Sequence, residues 1–167
     1  MFTKQFPLLC LIVSLVLLPG CGQKMPDGMP KLYPVSVSVT QEGKPFADAL
    51  VSLRASDPSA GTWTIGGTTD ANGRVELYTN GYRGAPLGKF KVVLVKQENE
   101  GAEEHDAAIS RGDTAAAQRI NVKIWSCVED RYNDPSQTPL EVEITSGTKT
   151  LDVDAGPAVQ IARQFVP

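Results

Sequence analysis

The stretch Val35-Ser36-Val37-Ser38-Val39-Thr40 decides the fold, because valine alternates with a small polar residue over six positions. An alternation of period two places all three valines on one face of a β-strand. The next residues, Gln41-Glu42-Gly43-Lys44-Pro45, predict a turn, since glycine supplies a positive φ and proline cannot extend a strand ladder. The sequence therefore predicts a half-buried strand that ends in a tight turn.

The same alternation recurs toward the C-terminus, with turn residues between the segments. Further strands are predicted at Ala49–Leu53, Trp63–Ile65, Val75–Leu77, Phe90–Leu94, Ile120–Ile124, Leu140–Ile144 and Leu151–Val153. Short strands spaced about 8–14 residues apart are typical of an all-β sandwich or barrel, here of about seven strands. The segment from Phe90 to Val95 is apolar on both faces, which predicts a central strand with Phe90, Val92 and Leu94 directed between two sheets.

The N-terminus predicts a secretory signal peptide over residues 1–20. A single Lys4 precedes the uncharged run Leu8–Leu18, which is shorter than the about 20 residues that span a bilayer. The run ends in Leu18-Pro19-Gly20-Cys21, which resembles the lipobox of bacterial lipoproteins. The resemblance implies cleavage before Cys21, acylation of Cys21 and anchorage to a lipid bilayer in the bacterial cell envelope, on its periplasmic or outer-membrane side. A plain secretory signal with an incidental Cys21 is the alternative.

The rest of the chain divides by composition. Residues 21–33 contain Pro26, Gly28 and Pro30 and predict a flexible lipidated tether, and residues 34–154 form the β-domain. Within that domain, residues 97–119 predict an acidic insertion, mobile and with a helical turn or two, that adds little to the core. Residues 155–167 form a tail with no predicted structure.

Several segments resemble carboxypeptidase regulatory-like domains, which have a transthyretin-like (prealbumin-like) β-sandwich fold. The matching segments, in the order of that family, are Gly43-Lys44-Pro45-Phe46-Ala47-Asp48-Ala49-Leu50-Val51, Thr69-Asp70-Ala71-Asn72-Gly73-Arg74-Val75 and Ala85-Pro86-Leu87-Gly88-Lys89-Phe90-Lys91-Val92. A later segment, Tyr132-Asn133-Asp134-Pro135-Ser136-Gln137-Thr138-Pro139-Leu140, is similar to one found in lipoproteins of this type. The family shares no catalytic residues, so the resemblance implies a fold and no activity.

Net charge and cysteine usage argue against a nucleic-acid-binding protein and against a domain stabilised by disulfide bonds. The 167 residues carry a net charge of −3 and no basic run, which argues against a nucleic-acid partner. Of the three cysteines, Cys10 leaves with the signal peptide and Cys21 is acylated. The remaining Cys127 has no cysteine to pair with, so a packed thiol is expected and stability must come from packing.

The chain lacks the residue sets of common catalytic and metal sites. His105 is the single histidine and lies among carboxylates, so neither a zinc site nor a catalytic triad is predicted. Asp70-Ala71-Asn72-Gly73 resembles the start of a calcium loop but lacks the later ligands, which favours a hairpin turn. No metal and no cofactor is therefore expected.

Three functions remain. The first is a non-enzymatic, membrane-anchored envelope lipoprotein whose β-sandwich binds, scaffolds or has a structural role, with an envelope protein or a polysaccharide as its partner. The second is a carbohydrate-binding module at the cell surface, in which Trp63, Tyr78, Tyr82 and Trp125 are the candidate aromatic platforms. The third is a weak hydrolase that uses a pair of carboxylates.

Overall fold

A computed structural model describes residues 25–57 and 62–163 of the chain. Within those ranges it is mostly β-structure, with thirteen strands in three sheets and three short helices. The signal peptide and Cys21 lie outside the described residues. None of the helices in the described ranges is long and apolar enough to cross a membrane.

The first sheet is built around the valine-rich stretch. It contains β1 (Ser36–Gln41), β2 (Lys44–Pro45), β5 (Arg74–Glu76) and β12 (Thr150–Asp154). β1 pairs in parallel with β12, with Val37 opposite Leu151, and pairs antiparallel with β2 and β5 on its other edge. Val35, Val37 and Val39 are buried, as the alternation predicts.

The second sheet has six antiparallel strands in the order β11-β8-β3-β4-β6-β7. Their bounds are β3 Leu50–Ala55, β4 Ile65–Thr68, β6 Tyr78–Thr79, β7 Tyr82–Arg83, β8 Gly88–Val95 and β11 Glu141–Ile144. β8 lies between β3 and β11, which confirms the prediction that the doubly apolar strand is central.

The two sheets bury their apolar faces in one shared core. Val37, Val39 and Val153 of the first sheet belong to the same cluster of buried residues as Val51 and Leu94 of the second. Phe90, Val92 and Leu94 are all buried in this cluster, as predicted. The period of two thus assigned the inward faces correctly.

The acidic segment and the tail differ from the expectation. β9 (Gln97–Glu100), β10 (Lys123–Ser126) and β13 (Ile161–Arg163) form a third antiparallel sheet in the order β13-β10-β9. Between β9 and β10 lie α1 (Ala102–Ser110) and α2 (Thr114–Ala117), and α3 (Asp130–Asn133) follows β10. The segment that was expected as an acidic insertion with a helical turn or two thus contains the strand β9 and two helices. The expected strand at Ile120–Ile124 begins later, at Lys123.

The glycines of the acidic segment bound α1 and do not interrupt it. Gly101 is the N-cap residue, with φ 85°, and Gly112 follows the helix with φ 76°. Glu103 and Glu104 occupy the first turn, where negative charge is favourable to the helix dipole. Ala108 is fully buried, so the segment packs through small residues, which hydrophobic periodicity does not reveal.

The Asp70–Gly73 turn forms as predicted, but it does not close a hairpin. Asp70 Oδ1 accepts hydrogen bonds from the amides of Asn72 (2.8 Å) and Arg74 (2.9 Å), which occupies that carboxylate oxygen. The strands on either side belong to different sheets, since β4 pairs in the second and β5 pairs with β1 in the first. The turn therefore carries the chain from one sheet to the other.

The chain crosses back between the sheets at Leu77. A single strand was expected over Val75–Leu77, whereas β5 ends at Glu76 and β6 begins at Tyr78. Leu77 is buried and donates its amide hydrogen bond to the Val35 carbonyl at 3.0 Å. After this crossing, β6 and β7 form a hairpin whose Asn80-Gly81 turn has φ of 48° and 85°.

The last residues of the expected tether pack on the β-domain. Leu32 is buried, and Tyr33 and Ala85 form an antiparallel bridge with amide hydrogen bonds of 2.9 and 3.0 Å. The tether that was expected over residues 21–33 therefore ends near Pro30.

Candidate functional site

Two adjoining depressions lie at one end of the β-domain, with volumes of about 590 and 300 Å³, and share Glu98 and Gln160 in their walls. We refer to them together as the end groove. Its walls come from four separate segments: the β1–β2 turn, residues 96–100, residues 125–127 and residues 158–160. Trp125, one of the predicted site residues, lines the smaller of the two depressions, and Tyr78 lines a separate depression of about 300 Å³ on the second sheet.

The pairing of β9 with β10 fixes one wall of the end groove. Glu98 lies opposite Trp125, and Glu100 lies opposite Lys123. The indole Nε1 of Trp125 donates a hydrogen bond to Glu100 Oε2 at 2.9 Å, and Lys123 Nζ donates to Glu100 Oε1 at 3.2 Å. These contacts set the orientation of the half-buried Trp125 ring.

The same two contacts govern the charge of Glu100. The hydrogen bond from Trp125, followed by that from Lys123 and its positive charge, lowers the pKa of the Glu100 carboxyl. Glu100 is therefore ionised at neutral pH. It can accept hydrogen bonds from a ligand, but it is a poor general acid.

The opposite wall joins the C-terminal segment to β1. Gln41 Nε2 donates hydrogen bonds to the carbonyl oxygens of Cys127 (3.0 Å) and Pro157 (3.2 Å). The amide of Ala158 donates to Glu42 Oε1 at 3.2 Å. These long-range bonds hold the residues after β12 against the β1–β2 turn.

Lys96 and Cys127 lie in the floor of the end groove. Lys96 Nζ lies 4.9 Å from the centre of the Phe46 ring and 3.7 Å from Glu98 Oε1. Burial, with a smaller contribution from the negative charge of Glu98, raises the pKa of the Cys127 thiol. Cys127 is a buried free thiol, as expected, and its protonated form is a weak nucleophile.

The structure does not bring the four predicted aromatic residues together. Trp63 is half-buried beside Phe90 in a small apolar depression of about 90 Å³, which shares no wall residue with the end groove. Tyr78 is exposed on the outer face of the second sheet, whereas Tyr82 pairs with the buried Thr79 on the other face. Of the four, Trp125 is the one that lines the end groove.

The remaining candidates for chemistry have structural surroundings. His105 lies on α1, where its Nδ1 is 3.2 Å from Asp106 Oδ1. No group of three or more metal-ligating side chains occurs within residues 25–57 and 62–163. Cys21, the predicted lipidation site, lies outside the described residues.

A further depression of about 370 Å³ lies beside the first residues of β1. Arg83 and Glu76 in its wall form an ion pair of 2.6 Å, so their charges offset each other. Lys149 is the other charged residue of its wall.

Sequence reasoning missed Glu98, Glu100 and Gln160 as wall residues of the end groove. Lys96, Glu98 and Glu100 are all polar, so the strand carries no apolar alternation to mark it. Gln160 belongs to the tail, for which no structure was predicted. The one available signal was the spacing of Trp125 and Cys127, two residues apart on one side of a strand.

Comparison with known proteins assigns no family. No protein family matches the chain, and no curated protein matches it either. A 9R-lipoxygenase from Cyanothece PCC8801 is similar over 80% of this chain, with 14% identity and a TM-score of 0.34. The match spans 18% of the lipoxygenase, and a likeness of this size assigns neither a fold family nor an activity.

Proposed function

We propose that the chain is a lipid-anchored, non-catalytic binding protein of the bacterial cell envelope. One observation carries the proposal: Cys21 ends an apolar run of signal length, in the lipobox-like sequence Leu18-Pro19-Gly20-Cys21. Pro30, where the chain reaches the β-domain, follows Cys21 by nine positions. An acylated Cys21 would therefore hold the β-domain close to a bilayer.

The environments of the reactive side chains support a non-catalytic role. The raised pKa of Cys127 disfavours its thiolate, which is the nucleophilic form. The lowered pKa of Glu100 disfavours the protonated carboxyl that a two-carboxylate hydrolase needs as its acid. The hydrolase hypothesis therefore ranks last of the three.

For the fold, we propose the transthyretin-like sandwich of carboxypeptidase regulatory-like domains. The segments that resemble the family fall at successive strand connections of the β-domain. The first covers β2 and the start of β3, the second covers the Asp70–Gly73 turn, and the third leads into β8. Two sheets with one shared core are consistent with that fold.

Replacement of each N-terminal cysteine tests the anchor. In a bacterial host, Cys21→Ala should prevent acylation and either release the protein from membranes or stop its processing. Cys10→Ala is the matched control, because Cys10 lies inside the apolar run and leaves with the signal peptide. If the Cys21→Ala protein is processed and remains in the membrane fraction like the Cys10→Ala protein, the lipoprotein proposal is wrong.

A carbohydrate ligand is the second candidate function, and the surroundings of Trp125 favour it. Sugar sites combine an aromatic face with side chains that exchange hydrogen bonds with hydroxyl groups. Trp125 shares its depression with Glu98, Asn99, Glu100 and Gln160, which are all hydrogen-bonding side chains. Trp63 lies in a depression whose other walls are apolar, and Tyr78 lies in one with Ser52, Thr64 and Asn80 but with no charged side chain.

Tryptophan fluorescence tests the carbohydrate candidate directly. In a Trp63→Phe protein, Trp125 is the single tryptophan, and its emission can be followed while peptidoglycan fragments or lipopolysaccharide core oligosaccharides are added. Saturable quenching whose affinity falls about fivefold in an Asn99→Ala protein would support a sugar site, since one lost polar contact costs about 1 kcal/mol. Tyr78→Ala, on a different sheet, should leave the affinity unchanged. Absence of quenching at millimolar sugar would exclude these ligands.

A further inference from the structure

The tether meets the β-domain at an apolar patch, which we name the tether patch: the exposed Leu87, the half-buried Pro30 and Trp63, and the buried Pro86. These residues surround a depression of about 90 Å³ above the buried Phe90. That volume is well below the roughly 300–1,000 Å³ of small-molecule sites. Leu87 is 48% exposed and is among the few large apolar side chains that face solvent in the described residues. The tether patch therefore has the form of a contact surface.

The length of the tether limits what can face this patch. Nine positions separate Cys21 from Pro30, which gives a fully extended reach of about 30 Å. As a flexible chain, the tether has a root-mean-square length of roughly 17 Å. A domain of this size has a diameter of roughly 35–40 Å, so the tether cannot carry the far end of the domain to the bilayer. If Cys21 is in a membrane, the tether patch therefore lies within about 30 Å of that membrane, at the end of the domain nearest to it.

Charge at the rim fits a phospholipid surface. Lys31, which directly follows Pro30 of the patch, is exposed. Ammonium groups beside an apolar contact can pair with headgroup phosphates while the apolar side chains enter the acyl boundary. Tethering raises the effective concentration of the surface to the millimolar range, so a contact that is weak on its own becomes populated.

We propose that the tether patch docks on the bilayer that holds the acylated Cys21 and so fixes the orientation of the β-domain. The proposal rests on the lipid anchor proposed above. The strand β8 connects the tether patch to the end groove. Leu87 directly precedes the first residue of β8, and Lys96, which lines the end groove, directly follows the last residue of β8. An eight-residue strand is about 26 Å long, so docking at the tether patch displays the end groove away from the membrane.

The test uses vesicles with a chemical tether, so that its outcome is independent of lipidation in cells. The chain from Cys21 onward contains every residue that the structure describes. Its Cys21 is coupled to a maleimide lipid in phosphatidylethanolamine–phosphatidylglycerol vesicles, and one adduct per chain is confirmed by mass because Cys127 is buried. Acyl chains brominated near the headgroup then quench a nearby indole.

The two tryptophans report on opposite ends of the domain. In a Trp125→Phe protein, brominated lipid should reduce Trp63 emission about twofold or more relative to unbrominated vesicles, as expected for contact at the acyl boundary. In a Trp63→Phe protein, Trp125 emission should not change. Equal quenching of both indoles, or no quenching of Trp63, would overturn the proposal.

Substitutions at two exposed leucines separate docking from mere proximity. Leu87→Glu should abolish the quenching of Trp63, because a carboxylate at the acyl boundary is unfavourable. Leu50→Glu is the matched control, since Leu50 is 45% exposed but lies on the outer face of the second sheet. Equal effects of both substitutions would refute the assignment of Leu87. Concentration-dependent shielding of Trp63 from acrylamide without vesicles would instead identify a second copy as the occupant and overturn the proposal.

Discussion

Leu94 and Leu50 provide a direct test of the assigned core. They lie on neighbouring strands, β8 and β3, and Leu94 pairs with Val51, the residue after Leu50. Leu94 is 0% exposed and points between the sheets, whereas Leu50 is 45% exposed on the outer face. The same substitution at each position therefore compares burial with exposure in one chemical background.

The expected loss at Leu94 has two contributions. Leu→Ala removes three carbon groups from the core, which costs about 2.4 kcal/mol at roughly 0.8 kcal/mol each. The flanking strands restrict relaxation, and a residual cavity of about 50 Å³ adds about 1 kcal/mol. Leu94→Ala should thus lower the free energy of unfolding by about 3–4 kcal/mol. Leu50→Ala leaves no cavity in the core, so it should lower the free energy of unfolding by about 1 kcal/mol or less.

Urea unfolding followed by circular dichroism measures both values. Thermal unfolding should give a Tm lower by about 10 °C for Leu94→Ala, given 2–4 °C per kcal/mol at this size. Equal losses for the two variants would show that the alternation of β3 and β8 is assigned to the wrong faces. A loss below about 1 kcal/mol at Leu94 would place β8 outside the core.

Three further results are expected. Gly73→Ala should destabilise by more than about 2 kcal/mol in urea, because φ is 71° and an added Cβ would lie 2.8 Å from the Phe46 nitrogen; Gly43→Ala, at φ 76° in open space, should cost about 1 kcal/mol. The amides of Arg74 and Asn72 lower the pKa of Asp70, so stability that is present at neutral pH should fall below about pH 4, and Asp70→Asn should flatten that fall in acid unfolding curves. Burial raises the pKa of Cys127, so a thiol reagent at pH 8 should modify it about tenfold or more slowly in the folded chain than in urea; equal rates would contradict its burial.

Apolar alternation predicted the inward faces of the two large sheets, because burial on one face of a strand imposes a period of two. It predicted β1, β3, β8 and β11, where valine or leucine recurs at every second residue. It did not reveal β9, whose sequence Gln97-Glu98-Asn99-Glu100 is polar on both faces and exposed at all four positions. Such a strand is specified by its backbone partner β10, and pairing partners leave no periodic signal.

The candidate site was predicted only in part, for a similar reason. Trp125 could be named from its residue type, but its neighbours in the end groove come from segments that lie far apart in the sequence. The sheet change at Leu77 was equally hidden, since Val75 and Leu77 alternate as they would in one continuous strand. The buried contact of Leu77 with Val35 is a tertiary event, and local sequence does not encode it.

The parallel pairing of β1 with β12 has a consequence for the order of folding. Ser36 lies opposite Thr150, so the strand that begins the β-domain receives one of its partners only after nearly the whole domain has been made. Closing so long a loop is entropically costly and slows folding, because the favourable energy of strand pairing is gained only when both strands are in place. The first sheet therefore remains incomplete in any nascent chain that does not yet include β12. The local β6–β7 hairpin can form long before β12 is made.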